Sequence, residues 1–169
     1  HPLPDPQLLS EKLSQWGMAN TKQAIIYDDA GGAFAGRMWW ILKWLGHNNV
    51  AVLDGALGAW MSNGGKLSTN PTIFERDIFH PSIKDEMHVS IKDVEEAQYK
   101  MSKLILDARS KERYLGIKDE VDPIAGHIPG AVSHPLGKNL DKNGHFRSPE
   151  ELRLNFNKLV GDTAGPDII

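Results

Sequence analysis

The chain has 169 residues, 40% of them hydrophobic and 24% charged, with a formal net charge of −3. That length holds one ordinary domain or two small ones, and the mild acidity supplies no basic field for nucleic acid or an anionic membrane. The absence of cysteine excludes disulfides, thiolate metal sites and a cysteine nucleophile within these residues. No apolar run reaches the roughly 20 residues of a membrane helix, since Met38 to Leu45 is interrupted by Lys43. The sequence opens on His1 rather than Met, which leaves room for an upstream targeting segment; without one, a cytoplasmic location is expected.

Pro6 to Trp16 carries Leu8, Leu9 and Leu13 at helical spacing and stops at Gly17. Ala24 to Tyr27 reads as a short buried strand, Asp28 to Gly36 as a glycine-rich loop, and Arg37 to Leu45 as a helix with Trp40 and Trp44 one turn apart. Val50 to Leu53 is a second strand. Leu57 to Ser62 is a short helix ended by Asn63, Gly64 and Gly65. The mixed stretch Ser68 to Asp85 has the character of a linker. Beyond it, Ser90-Ile-Lys-Asp93 fits a capping box, with Ile91, Val94, Ala97 and Met101 as the apolar stripe. Leu104 to Ala108 is a strand, and Ser110 caps a short helix through Tyr114. Residues 116–147 are mostly loop, Ser148-Pro-Glu-Glu151 starts a helix running to about Val160, and a strand begins at Asp167. Strands alternating with helices predict an α/β fold with a largely parallel sheet.

The two ends of the chain resemble each other. Pro6, Leu9, Ile25 and Ile26 recur as Pro149, Leu152, Ile168 and Ile169, each offset by 143 residues. Both sets give a proline-started helix, a turn and a strand, as a duplicated unit would. On this offset the chain starts inside one copy and stops inside the next, and the counterpart of Asp28 falls two residues beyond Ile169.

Three segments have chemical potential. The loop Asp28 to Gly36 lies between a strand and a helix, where backbone N–H groups can cradle an anion. Gly31, Gly32 and Gly36, with Asp54 after the next strand, imitate a dinucleotide site, but they lack the G-x-G-x-x-G spacing and two carboxylates stand at the loop entrance. A structural turn is the simpler reading. Arg109 and Arg113 can share a helical face and bind an oxyanion, or pair with Asp107 or Glu112. In Ala125-Gly-His-Ile-Pro-Gly-Ala-Val132, Gly126 and Gly130 can take positive φ, and His127 ties the loop by hydrogen bonds or titrates near neutral pH. The histidines show no metal-ligand spacing, and Trp39, Trp40 and Trp44 read as packing residues.

The run Asp107-Ala-Arg109, then Glu112-Arg-Tyr-Leu-Gly116, then Gly126-His-Ile-Pro-Gly-Ala131 resembles the opening of a rhodanese domain. Tyr27 through Trp40, followed by Leu53-Asp-Gly-Ala-Leu-Gly-Ala-Trp60, is similar to the closing half of the noncatalytic first domain in two-domain thiosulfate and mercaptopyruvate sulfurtransferases. The resemblance implies a rhodanese-like tandem: residues 1–80 as the end of a noncatalytic domain plus linker, and 81–169 as the beginning of the catalytic one. It implies transfer of a sulfane sulfur from a small anionic donor, through a cysteine persulfide, to cyanide or a thiol, without a cofactor. No catalytic residue lies in the chain itself; the cysteine is expected about two residues after Ile169, and the 169 residues alone are expected to be inactive.

By the same resemblance Arg113 and His1 are substrate-binding residues. Asp107, Arg109, His127 and Gly130 belong to the structural motif, and Asp28 holds the cysteine's place in an inactive loop. Mercaptopyruvate enzymes carry a second donor-binding arginine before the Gly-His motif; here Lys118-Asp-Glu-Val-Asp-Pro123 puts acids in that region, which favours thiosulfate. Pro123 replaces an aromatic residue often found there. The expected partners are the donor, the acceptor, and the remaining halves of both domains or another fragment, but neither nucleic acid nor membrane. A noncatalytic rhodanese-like module and a dinucleotide-binding oxidoreductase are the alternatives.

Overall fold

A computed structural model describes residues 2–118, 121–163 and 165–169, in two compact units, His1–Met87 and His88–Ile169. Both are α/β, each built on a short parallel sheet.

In the first unit, helix α1 (Pro6–Gln15) starts with proline at its first position, and Asp5 caps it by accepting the Gln7 and Leu8 N–H groups. Strands β1 (Ala24–Ile26) and β2 (Val50–Val52) pair in parallel, Ile25 opposite Ala51, joined through helix α2 (Ala33–Trp44). Helix α3 (Ala56–Ser62) follows β2. The core joins Leu13 of α1 to Ile41, Leu42, Trp44 and Leu45 of α2 and to Phe79. Trp40 and Trp44 stack with ring centroids 6.2 Å apart, so this pair packs as the spacing predicts, while Trp39 stays partly exposed under Lys43.

The segment read as a linker is strapped to this unit. The Phe79 N–H donates to Ser14 Oγ, Asp77 N–H to the Ser14 carbonyl, Ser82 N–H to Leu45, and Lys84 N–H to Trp44. Phe79 is 4% exposed and supplies the apolar anchor that composition alone did not single out.

In the second unit, α4 (Ile91–Lys100) begins with the expected reciprocal box between Ser90 and Asp93 and ends on Met101 in the left-handed region. Strand β3 (Leu106–Asp107) is flanked on one side by β4 (Val132–Ser133). On the other side Ile168 bridges Leu104 in parallel, and the Leu106 N–H donates to Ile169. Helix α5 (Lys111–Tyr114) sits on the Ser110 cap. Helix α6 (Pro149–Val160) starts on a Ser148–Glu151 capping box with proline first.

Two element boundaries differ from expectation. Helix α2 starts at Ala33 rather than Arg37, because the Asp28 carboxylate reaches forward to the Phe34 and Ala35 N–H groups and caps the helix from a distance. Residues Gly165–Asp167 form a 3-10 turn, so strand geometry begins at Ile168 rather than Asp167. Among the described residues no helix is long and apolar enough to cross a membrane.

Gly46 ends α2 at φ +83°, and a Cβ there would stand 2.5 Å from the Ser82 carbonyl oxygen. Backbone cannot retreat as a flexible side chain can. Gly46→Ala is expected to destabilise the first unit by at least ~1 kcal/mol, read as a lower urea midpoint. An unchanged midpoint contradicts the close approach of the strap.

Candidate functional site

Two loops follow the carboxyl ends of the strands, where open parallel sheets place their ligands. The first runs from β1 to α2. Asp28 folds back into it, with Oδ1 accepting from the Ala30 N–H at 3.0 Å and the Gly32 N–H at 2.8 Å. Its Oδ2 accepts from Phe34 and Ala35, both at 2.9 Å. Gly31 and Gly32 make the curl possible, with φ of +66° and +88°. Partial burial alone raises the carboxyl pKa, but the four N–H donors outweigh it and hold Asp28 below its ordinary value.

The loop is therefore an anion cradle, as its glycines and position suggested, and its anion is internal. The Asp28 carboxylate occupies the N–H groups that a dinucleotide pyrophosphate would need, which removes the reading built on Gly31, Gly32, Gly36 and Asp54.

The second loop follows β3. The Arg109 guanidinium donates to Asp107, with Nη2 2.7 Å from Oδ2, and to the Gly126 carbonyl at 2.6 Å. Its Nη1 reaches Asp122 at 3.0 Å. Hydrogen bonding to this guanidinium holds the Asp107 carboxyl below its ordinary value, and the same contact raises the Arg109 pKa. Arg113 donates to Asp122 at 2.7 Å, so both arginines converge on one carboxylate. The spacing had offered Glu112 as a partner; Asp122, from the acidic run, is the ion-pair partner seen among the described residues.

His127 stacks on Tyr114 with centroids 3.7 Å apart. Its Nδ1 donates to the Tyr114 carbonyl at 2.7 Å, and the Tyr114 hydroxyl donates to Ala131 at 2.8 Å. Gly126 and Gly130 stand at φ +110° and +85°, letting the loop turn under Pro129. Asp107, Arg109, Arg113 and Asp122 thus form one network, with His127 bracing the loop beside it. A concave surface of about 510 Å³ lies against this network, lined by Leu106, Arg109, Asp122, Ile124 and His127 among others. Tyr114 was not singled out in the sequence, although its position one turn from Ser110 is the signal that could have marked it. His1, Asp119 and Glu120 lie outside the described residues.

Residues 1–63 match the sequence model of the rhodanese-like domain. Over 161 residues the chain is 37% identical to a Pseudomonas aeruginosa protein named "Probable 3-mercaptopyruvate sulfurtransferase", covering 95% of this chain and 57% of that protein. It is 30% identical to the thiosulfate sulfurtransferase of Bos taurus over 169 residues, covering 97% of this chain and 57% of the relative. The chain therefore spans little more than half the length of these relatives. Among solved structures, the 3-mercaptopyruvate sulfotransferase SseA from Escherichia coli matches with a TM-score of 0.81 and 27% identity, over 98% of this chain and 65% of that one. The anaerobic ergothioneine biosynthesis enzyme from Chlorobium limicola, at a TM-score of 0.76 and 20% identity over 92% of this chain and 43% of that one, shares the fold.

Asp28→Asn leaves one acceptor oxygen where the carboxylate had two and removes the charge. At neutral pH it is expected to cost about 1–3 kcal/mol. Because the folded pKa is depressed, the contribution is complete above the ordinary carboxylate range and is lost as pH falls through the folded value. The gap between parent and variant should therefore begin to narrow below about pH 4 and close only once the pH is below the depressed folded value. Denaturation midpoints measured across pH check this; a gap that persists in acid contradicts it.

Proposed function

The chain belongs to the rhodanese-like family, and from that premise we propose that the protein is a sulfurtransferase acting through a cysteine persulfide. The observation that carries this reading is the Asp28 cradle, a loop after a parallel strand in which four backbone N–H groups hold one anion. Such a loop suits a thiolate and the persulfide made from it.

The equivalent loop of the second unit is proposed to carry the cysteine. Ile168 and Ile169 lie beside β3 after a helix with proline at its first position, as Ile25 and Ile26 lie in β1 after α1. The repeat offset places the counterpart of Asp28 two residues beyond Ile169. In the first half-reaction the thiolate attacks the outer sulfur of thiosulfate, the S–S bond of the donor breaks, and sulfite leaves with the electron pair. Cyanide or a thiolate acceptor then attacks the outer persulfide sulfur, and the cysteine thiolate is restored.

Arg113 is proposed to meet the donor's oxyanion. Asp122 already draws on both Arg113 and Arg109, so a donor oxyanion meets Arg113 in competition with that carboxylate. The acids of residues 119–122 stand in the region where, by the resemblance, mercaptopyruvate enzymes carry a second donor-binding arginine, which supports thiosulfate over 3-mercaptopyruvate as donor. The curated relatives include names of both kinds.

The full-length gene product, incubated with thiosulfate and cyanide, is expected to form thiocyanate and to prefer thiosulfate in kcat/KM. Arg113→Ala should lower kcat/KM for the donor about tenfold, the loss of one charge-assisted hydrogen bond. The 169 residues alone should form none. Thiocyanate from the 169-residue chain, or from a full-length protein whose cysteine has been replaced, overturns the proposal.

A further inference from the structure

The second unit carries a concave surface of about 470 Å³ away from the Arg109 network, lined by His134, Lys138, Arg147, Asn155, Lys158 and Leu159. It combines three cations and an amide without a lining carboxylate, in a chain whose net charge is −3. Among the described residues, the Lys138 and Lys158 ammonium groups and the Asn155 side-chain amide have no hydrogen-bond or ion-pair partner.

Arg147 is held in place by the backbone. Its Nε donates to the Lys138 carbonyl at 3.0 Å, which fixes the guanidinium. Two acids act on it from a distance: Glu151, whose Oε1 forms a long ion pair at 3.7 Å from Arg147 Nη1, and Asp141, which feels its charge through space. The other oxygen of Glu151 is committed to the Ser148 N–H at the start of α6. His134 forms a fixed wall: it is 8% exposed, donates from Nε2 to Asn139, and packs against Phe156.

We propose that this surface is a binding site for a tetrahedral oxyanion of phosphate or sulfate type. The fixed guanidinium fork offers directional donors, and the two ammonium groups and the amide supply movable ones that can close on the remaining oxygens. The shared chemistry is the tetrahedral dianion, either free or as the terminal group of a phosphate ester.

The test is a titration of the full chain with inorganic phosphate, followed by amide chemical shifts, with phenyl phosphate in a parallel arm. Saturable shifts centred on Lys138, Arg147 and Asn155 are expected. Lys138→Ala and Lys158→Ala should each weaken binding about tenfold, whereas Lys142→Ala, at an exposed lysine outside the surface, should not change it. Tighter binding of phenyl phosphate assigns the site to an ester, and equal or tighter binding of inorganic phosphate assigns it to the free ion. Circular dichroism of each variant confirms that the fold is kept. Shifts that do not saturate, or a Lys138→Ala/Lys158→Ala double variant that binds as the parent does, overturn the proposal.

Discussion

The first unit depends on one carboxylate placed among backbone donors. Asp28 answers four N–H groups that would otherwise converge without a partner, two in the curl of the loop and two in the first turn of α2. The Gly32 and Ala35 donors are partly buried, where an unmet N–H costs free energy, so an acceptor at this point stabilises the loop. The residue that meets the need also fixes where α2 begins. Since α2 contributes Ile41, Leu42, Trp44 and Leu45 to the core, the loop and the hydrophobic packing are parts of one arrangement. The same geometry connects fold and chemistry in the proposal: a loop that stabilises a carboxylate here can stabilise a thiolate or persulfide in an equivalent loop.

The second unit solves a related problem with side chains. Arg109 joins the end of β3 to the Gly126 turn by holding Asp107, the Gly126 carbonyl and Asp122 together. Each partner fixes the guanidinium in a different direction. The Tyr114–His127 stack braces the same turn from its other end. Arg113 meets the network through Asp122, so its proposed contact with a donor anion is linked to the placement of that carboxylate. The acidic segment thus matters through geometry as well as net charge.

Much of this was legible in the sequence because the signals are local. The Ser90–Asp93 and Ser148–Glu151 boxes, the prolines opening α1 and α6, and the positive-φ glycines around His127 each declare themselves within a few residues. What escaped depends on distance along the chain. Capping rules look for a residue next to the helix, and Asp28 caps α2 from five positions before Ala33. The strap through Phe79 and Ser82 needs Ser14 and Leu45 as partners, more than thirty residues away. Asp122 could not be chosen over Glu112 from helical spacing, since it approaches Arg113 from a loop. The expectation at Asp167 failed locally: the Gly165-Pro166 pair favours a tight turn, which delays the strand to Ile168.

The loop after β1 stabilises the Asp28 anion through its backbone, and the same donors are expected to act on any anionic side chain at that position. The chain has no cysteine, so Asp28→Cys would introduce a single thiol whose alkylation rate can be followed against pH without interference. A free thiol titrates near 8.5, and thiols facing helix N-termini or cationic groups fall to roughly 3.5–7.5. Asp28→Cys is expected to titrate within that lower range. A thiol that titrates at or above the ordinary value, in a variant whose circular dichroism matches the parent, would contradict it.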